Sequence, residues 1–224
     1  MSSLEQNDPS LADQGLLFVV AAPSGAGKTS LVNALLDAEP SLALSISHTT
    51  RDIRPGETQG REYHFTERSV FEEMIAQGLF LEHADVFGNL YGTNRQSLSE
   101  QRAAGHDVIL EIDWQGAAQV RQAFPDALSI FILPPSRREL LKRLTSRGQD
   151  SADVIARRTA QATTEIAQHD DFDYLIINDN FDTASADLLA IVRAARCRKD
   201  VVTRRHPALI SDLLNSGPQG DVLP

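Results

Sequence analysis

The chain has 224 residues, 42% of them hydrophobic, and a formal net charge of -10. This length supports one core with insertions, and the acidity excludes a general nucleic-acid surface, which needs a basic face. A lone cysteine, Cys197, excludes an internal disulfide and fits a reducing cytoplasm, and no apolar run is long enough to span a membrane.

Met1 to Gln14 is polar and acidic, with no basic region ahead of an apolar one. It reads as a disordered tail and not as a signal peptide. Leu16-Leu17-Phe18-Val19-Val20-Ala21 follows as a buried strand, then Ala22-Pro23-Ser24-Gly25-Ala26-Gly27-Lys28-Thr29, then Ser30 to Leu36, apolar at helical spacing. Strand, glycine loop, Lys-Thr and helix in this order form the context of a phosphate-binding loop. Gly25 and Gly27 let backbone N–H groups turn inward around phosphate oxygens, and the helix points the positive end of its dipole at the same place. Lys28 adds charge for the outer phosphates, and Thr29 offers a hydroxyl to Mg2+. Ala22 stands where the strict pattern has glycine, so its φ must stay negative. The loop implies binding of a nucleoside triphosphate and leaves the use of the phosphate open.

Leu42, Leu44 and Ile46 alternate with small residues as a second strand. Thr49 to Gly60 is loop by composition, with Pro55-Gly56 as a turn signal, and Glu62-Tyr63-His64-Phe65 is a short strand. Val70, Phe71, Met74 and Ile75 form a helix face stopped by Gly78. Phe80 to Phe87 is a strand, Gly88-Asn89 a tight turn, and Leu90 to Thr93 the return. Thr93 or Asn94 caps a helix that ends at Gly105. Core strands over Val108–Ile112, Leu128–Leu133 and Tyr174–Asn178 alternate with helices over Trp114–Ala123, around Leu140, Leu141 and Leu144, over Asp153–Gln168, and around Leu188–Val192. Cys197 is expected to be a small, partly buried side chain on a late helix, and the histidines show no metal-ligand spacing. The alternation predicts an α/β fold with a parallel sheet covered on both faces. Residues 49–93 break it and are expected to be an inserted lobe of mixed sheet.

Arg51 and Arg54, with Tyr63 and Tyr91, suit a phosphate monoester: two guanidinium forks and two phenols. Ser47 could cap the loop or touch the ligand. Glu82 and Thr93 flank the Gly88-Asn89 turn. An ionised carboxylate accepts from two N–H groups and a hydroxyl donates to a carbonyl, which matches guanine and mismatches adenine. Glu111 and Asp113 end a core strand, where open α/β sheets bind ligands, and one of them suits a magnesium role. Arg137, Arg138, Arg143, Arg147, Arg157 and Arg158 crowd a helix–break–helix segment. Some make helical ion pairs, while Arg147 and Arg158 are placed to close over the phosphates as a lid.

Together these residues resemble guanylate kinase, over about Leu16 to Leu214. The most specific match is Ser47-His48-Thr49-Thr50-Arg51-Asp52-Ile53-Arg54-Pro55-Gly56-Glu57, with Gly60 and Tyr63-His64-Phe65. Tyr91-Gly92-Thr93, Glu111-Ile112-Asp113-Trp114-Gln115-Gly116, Arg147-Gly148, Ile177-Asn178-Asp179 and Arg205-His206-Pro207-Ala208-Leu209-Ile210 also match. The resemblance implies Mg2+-dependent transfer of the ATP γ-phosphoryl group to GMP or dGMP, in purine nucleotide metabolism. Ser47, Arg51, Arg54, Tyr63 and Tyr91 would hold the GMP phosphate, and Glu82, Thr93 and Asp113 would read guanine. Lys28, Arg54, Arg147 and Arg158 would carry catalytic charge, Asn178 would lie near the ATP adenine, and Glu111 would serve the metal with Thr29. The expected division is core over 15–48, 94–136 and 161–214, the GMP lobe over 49–93, a lid over 137–160, and tails over 1–14 and 215–224. Homo-oligomerisation is left open. Two rivals remain: a guanylate-kinase-like module that binds phosphoproteins without catalysis, and a P-loop kinase for another phosphorylated small molecule.

Overall fold

The computed structural model describes residues 14–145, 160 and 162–215. Its strands are β1 (Leu17–Ala21), β2 (Leu42–Leu44), β3 (His48–Thr49), β4 (His64–Phe65), β5 (Phe80–Val86), β6 (Asn89–Asn94), β7 (Asp107–Glu111), β8 (Leu128–Leu133) and β9 (Tyr174–Ile177). Its helices include α1 (Lys28–Ala38), α2 (Arg68–Ala76), α3 (Arg95–Ala103), α4 (Trp114–Ala123), α5 (Arg137–Thr145), α6 (Phe181–Arg196), α7 (Lys199–Arg205) and α8 (Pro207–Asn215). Residues 162–166 are also helical.

Every residue of β1 is buried, because the strand is central in a parallel sheet ordered β2-β7-β1-β8-β9. Its side chains alternate between two cores. Phe18 and Val20 meet Leu31, Val32 and Leu35 of α1 and Leu188 and Val192 of α6. Leu17, Val19 and Ala21 meet Leu98 of α3 and Ala117 and Val120 of α4. Each such Leu, Val or Phe contributes about 1.5–3 kcal/mol by leaving water. The hydrophobic effect therefore fixes β1 in the middle, and with it the loop that β1 feeds.

The second sheet is mixed, ordered β4-β3-β6-β5. Thr49 of β3 was expected to open a loop. The two residues of β3 pair in parallel with β4 and antiparallel with β6, and only partners distant in sequence define it. The hairpin between β5 and β6 turns at Phe87 and Gly88, one residue earlier than the expected Gly88-Asn89, with φ of 56 and 83. Val86 pairs with Asn89, so two residues with positive φ make the connection, as strand twist favours. The register shifts between Phe80 and Glu82, so Phe80, Leu81 and Glu82 are consecutively buried. Leu81 joins the core beside α4 while Glu82 faces Thr93, a re-aiming of side chains that a bulge permits.

Asn94 caps α3, accepting from Ser97 N at 3.0 Å, which leaves Thr93 for Glu82. Asn180 caps α6 through Thr183 N at 2.9 Å. Cys197 is exposed just past α6, not partly buried within it. Asn215, expected in the tail, ends α8. Residues 1–13 and 216–224 of the tails, with Arg147, Arg157, Arg158 and half of the helix expected over Asp153–Gln168, lie outside the described residues. Among the described residues no helix is long and apolar enough to cross a membrane.

Candidate active site

β1 ends at Ala21, and the chain turns through Ala22 to Gly27 into α1. Gly25 and Gly27 have φ of 87 and 93, which admits the turn, whereas Ala22 is not among the residues with positive φ. Ala26 is buried inside the turn, with its N–H on the Pro23 carbonyl at 3.1 Å and its carbonyl accepting from Asn178 Nδ2 at 2.7 Å. Gly27 has to be glycine for a second reason: a Cβ there would stand 2.4 Å from Asn178 Nδ2. Asn178 therefore braces the loop from beneath. Ser24 N donates to Glu165 Oε2 at 3.0 Å, across 141 residues of sequence. Burial pushes the Glu165 carboxyl up, opposed by that N–H and reinforced by Asp113.

Lys28 Nζ donates to the Ile112 carbonyl at 2.8 Å, just past the end of β7. Thr29 Oγ1 donates to Glu111 Oε1 at 2.5 Å. A hydroxyl and a carboxylate, both hard oxygen donors, face each other at the loop's rim, and this pair fits Mg2+. Among the described residues no group of three or more His, Cys, Asp or Glu could hold a metal.

Two adjoining cavities open above the sheet. One is lined by Ser47, Glu82 and Ala84, the other by the loop from Ala22 to Thr29 without Ala26, together with Arg54, Phe87 and Glu165. They share Lys28, Tyr63, Val86, Tyr91, Glu111 and Asp113. Arg51 holds Glu57 with one fork nitrogen at 2.7 and 3.0 Å, and its guanidinium carbon lies 5.4 Å from the Tyr63 ring centre. The Arg51 fork holds the Glu57 carboxyl below the usual range. Tyr63 and Tyr91 meet edge to face at 5.8 Å. Burial, then Glu111 and Tyr91, push the Tyr63 phenol up to about 12, so it remains a donor. Arg54 is exposed at the opening of the second cavity.

Glu82 and Thr93 lie directly opposite across β5 and β6. Thr93 Oγ1 donates to Glu82 Oε1 at 2.7 Å. Glu82 is 3% exposed and Thr93 0%, so the carboxylate reaches the cavity while the hydroxyl stands behind it. The expected direct meeting of Thr93 with guanine differs from this placement, in which Thr93 orients Glu82. Burial pushes the Glu82 carboxyl up to about 7, with Thr93 opposing and Asp113 adding. Asp113 caps α4 through Gly116 N at 2.9 Å and accepts from Gln115 Nε2 at 3.0 Å.

Residues 14–195 match the family model described as guanylate kinase. The chain is 56% identical to the guanylate kinase of Escherichia coli K12 over 203 residues, 90% of this chain and 98% of that one. It is 54% identical to the guanylate kinase of Thiobacillus denitrificans over 201 residues, 90% and 96% of the two chains. The crystal structure of guanylate kinase from Anaplasma phagocytophilum superimposes with a TM-score of 0.71 at 31% identity, covering 88% of this chain and 98% of that chain.

The chain belongs to the guanylate kinase family.

The structure thus brings together Lys28, Thr29, Ser47, Arg54, Tyr63, Glu82, Tyr91, Glu111 and Asp113 around one divided cleft, with Arg51 packed against Tyr63, Thr93 behind Glu82 and Asn178 beneath the loop. Sequence reasoning missed Glu165, whose partner is a loop amide in another element and leaves no local signal. It also missed Gln119, whose Nε2 donates to the His83 carbonyl at 2.9 Å while its Oε1 accepts from His83 N at 3.2 Å. That amide fastens β5 to α4.

Proposed function

We propose that this chain transfers the γ-phosphoryl group of ATP to GMP or dGMP, giving ADP and GDP or dGDP. The observation that carries the reading is the buried Glu82 carboxylate, held by Thr93 and facing a cavity that shares Lys28 and Asp113 with the phosphate loop's cavity. Glu82 accepts from guanine N1–H and N2–H, with Asp113 beside it. Tyr63 and Tyr91, in the shared part of the cleft, hold the GMP phosphate with Ser47 and with Arg51, which packs on Tyr63, and Arg54 reaches it from the opening. An oxygen of that phosphate attacks the γ-phosphorus, the bond to the β–γ bridging oxygen breaks, and ADP leaves with the electron pair. The nucleophile is already ionised, so no strong general base is needed. The chain supplies alignment and charge: loop amides and Lys28 on the ATP phosphates, and Arg54, Arg147 and Arg158 on the group in transit. Mg2+, held by Thr29 and Glu111, would neutralise phosphate charge. Residues 49–93 and 137–160 act as lobe and lid, and their closure excludes water that would otherwise consume ATP. The lone Cys197 supports a cytoplasmic setting.

A coupled ADP-release assay across GMP, dGMP, AMP, UMP and TMP tests this reading. GMP should exceed AMP by about 10⁴ in kcat/KM, because AMP leaves a buried carboxylate with no donor but Thr93. Glu82→Ala should lose most of its GMP activity and keep its KM for ATP. A wild type that prefers AMP or a pyrimidine overturns the assignment, and unchanged discrimination in Glu82→Ala removes Glu82 as the reader.

A further inference from the structure

Gly116 lies inside α4, where glycine is less favourable than alanine. Its φ is not positive, so the backbone does not demand glycine. The space around it does. A Cβ at position 116 would stand 2.4 Å from Glu82 Oε2, 3.0 Å from Glu82 Cδ and 3.4 Å from Asp113 Oδ1. Gly116 is buried, and it lines neither cavity. It therefore sits behind the carboxylate, on the side away from the substrate.

The carboxylate has little room to give way. Its other oxygen holds Thr93 at 2.7 Å, and Gln119, three residues further along α4, clamps the main chain of the next residue, His83. Relieving a 2.4 Å approach to 3.0 Å or more moves Oε2 by at least 0.6 Å. The open direction is into the cavity, where the base would lie. The Gly116 N–H meanwhile holds Asp113 at 2.9 Å. One residue thus sets the place of both acids that face the base.

We propose that Gly116 is a specificity-determining positioning residue, whose missing side chain sets the depth at which Glu82 meets guanine. This rests on the reading of Glu82 given above. The main effect of a methyl group at 116 falls on base recognition and not on folding, because the colliding atom is the end of a side chain and not backbone.

Gly116→Ala, Glu82→Ala and the double variant test it, through kcat/KM for GMP and AMP, KM for ATP and the melting temperature. Gly116→Ala should lower kcat/KM for GMP by about 10²-fold, the scale of a misplaced contact. AMP turnover and KM for ATP should stay within about twofold, with the loss carried by KM for GMP more than by kcat. In the Glu82→Ala background the same methyl should change GMP turnover by less than about twofold, because the group it displaces is gone. A single variant that unfolds and is restored by Glu82→Ala makes the contact a requirement of folding and overturns the specificity role. Wild-type GMP kinetics in Gly116→Ala, an equal loss on AMP, an undiminished loss in the Glu82→Ala background, or unfolding in both backgrounds overturns it. If discrimination is lost in Glu82→Ala but kept in Gly116→Ala, only the role of Gly116 fails. If wild type shows no preference for GMP, both readings fail.

Discussion

Asp107 opens β7 and Glu111 closes it, with Asp113 two residues on, and the two ends are built differently. Asp107 is 4% exposed and accepts from Leu16 N at 2.8 Å, Arg196 Nε at 2.7 Å and Arg205 Nη2. Arg196 in turn holds Glu39 at the end of α1 at 2.6 Å. At the other end Glu111 meets the Thr29 hydroxyl, Asp113 meets an amide N–H and a carboxamide, and neighbouring Glu82 meets a hydroxyl. The first acid has its countercharge inside the protein, and guanidinium groups from α6 and α7 tie the closing helices to the sheet. The other three have dipoles for partners and face a cavity, so a cation or the N–H groups of a ligand complete them. The acid at the N-terminal edge of the parallel sheet is tied into the fold, and the acids at its C-terminal edge are left facing the cleft, where open sheets of this kind bind ligands.

Three measurements break or sharpen this contrast. The largest effect belongs to Lys28, which lines both cavities together with Glu111 and Asp113. Lys28→Ala should cut kcat by about 10²–10³, or about 3 kcal/mol and above, since it removes charge aimed at the transferring group. The melting temperature should barely move, because Lys28 belongs to neither core cluster. Near-wild-type turnover would sink the phosphate-loop assignment.

Asp107→Ala should do the reverse. It takes the Asp107 countercharge from Arg205 and leaves Arg196 with Glu39 alone, and their side chains are 29% and 19% exposed, so water recovers part of the loss. We expect about 2 kcal/mol of destabilisation, below the full cost for a deeply buried pair. For a chain of this size that is about 4–8 °C in melting temperature, with KM for both nucleotides unchanged. A fall in kcat/KM without a fall in stability would show that the two edges are not separate.

The smallest effect is a shift in a pH profile. The Glu82 carboxyl titrates near 7 in the fold against an ordinary 4.5, because burial disfavours its charge. Its contribution to stability is therefore fully present below about pH 4.5 and is lost as pH rises through about 7. Reading guanine needs the ionised form, so kcat/KM for GMP should fall as pH drops through about 7. The GMP phosphate takes up its own proton near pH ~6. Glu82→Gln should remove the limb near 7 and leave the one near ~6. A limb near 7 that survives in Glu82→Gln would assign that titration to another group.

What the sequence determined by itself was whatever contiguous residues carry. β1, the glycine turn and α1 are legible in one short run, because period, turn chemistry and cap all lie within it. α4 and β8 fall where their periodicity puts them, and Glu82, Thr93, Glu111 and Asp113 are identifiable from residue type and place in the chain. Tertiary structure alone decided which groups meet. β3 exists because β4 and β6 flank it, and the bulge at Leu81 exists because two faces of β5 must be satisfied at once. Thr93 stands behind Glu82, Asn178 under the loop and Glu165 on Ser24 N. Cys197 is exposed because the chain leaves α6 just before it, and α7 and α8 were not foreseen as separate helices. The pairing of β3, Asn178 under the loop and Glu165 on Ser24 N each rest on a contact between residues far apart in sequence. The local pattern therefore names the chemistry, and the packing sets which oxygen faces which donor.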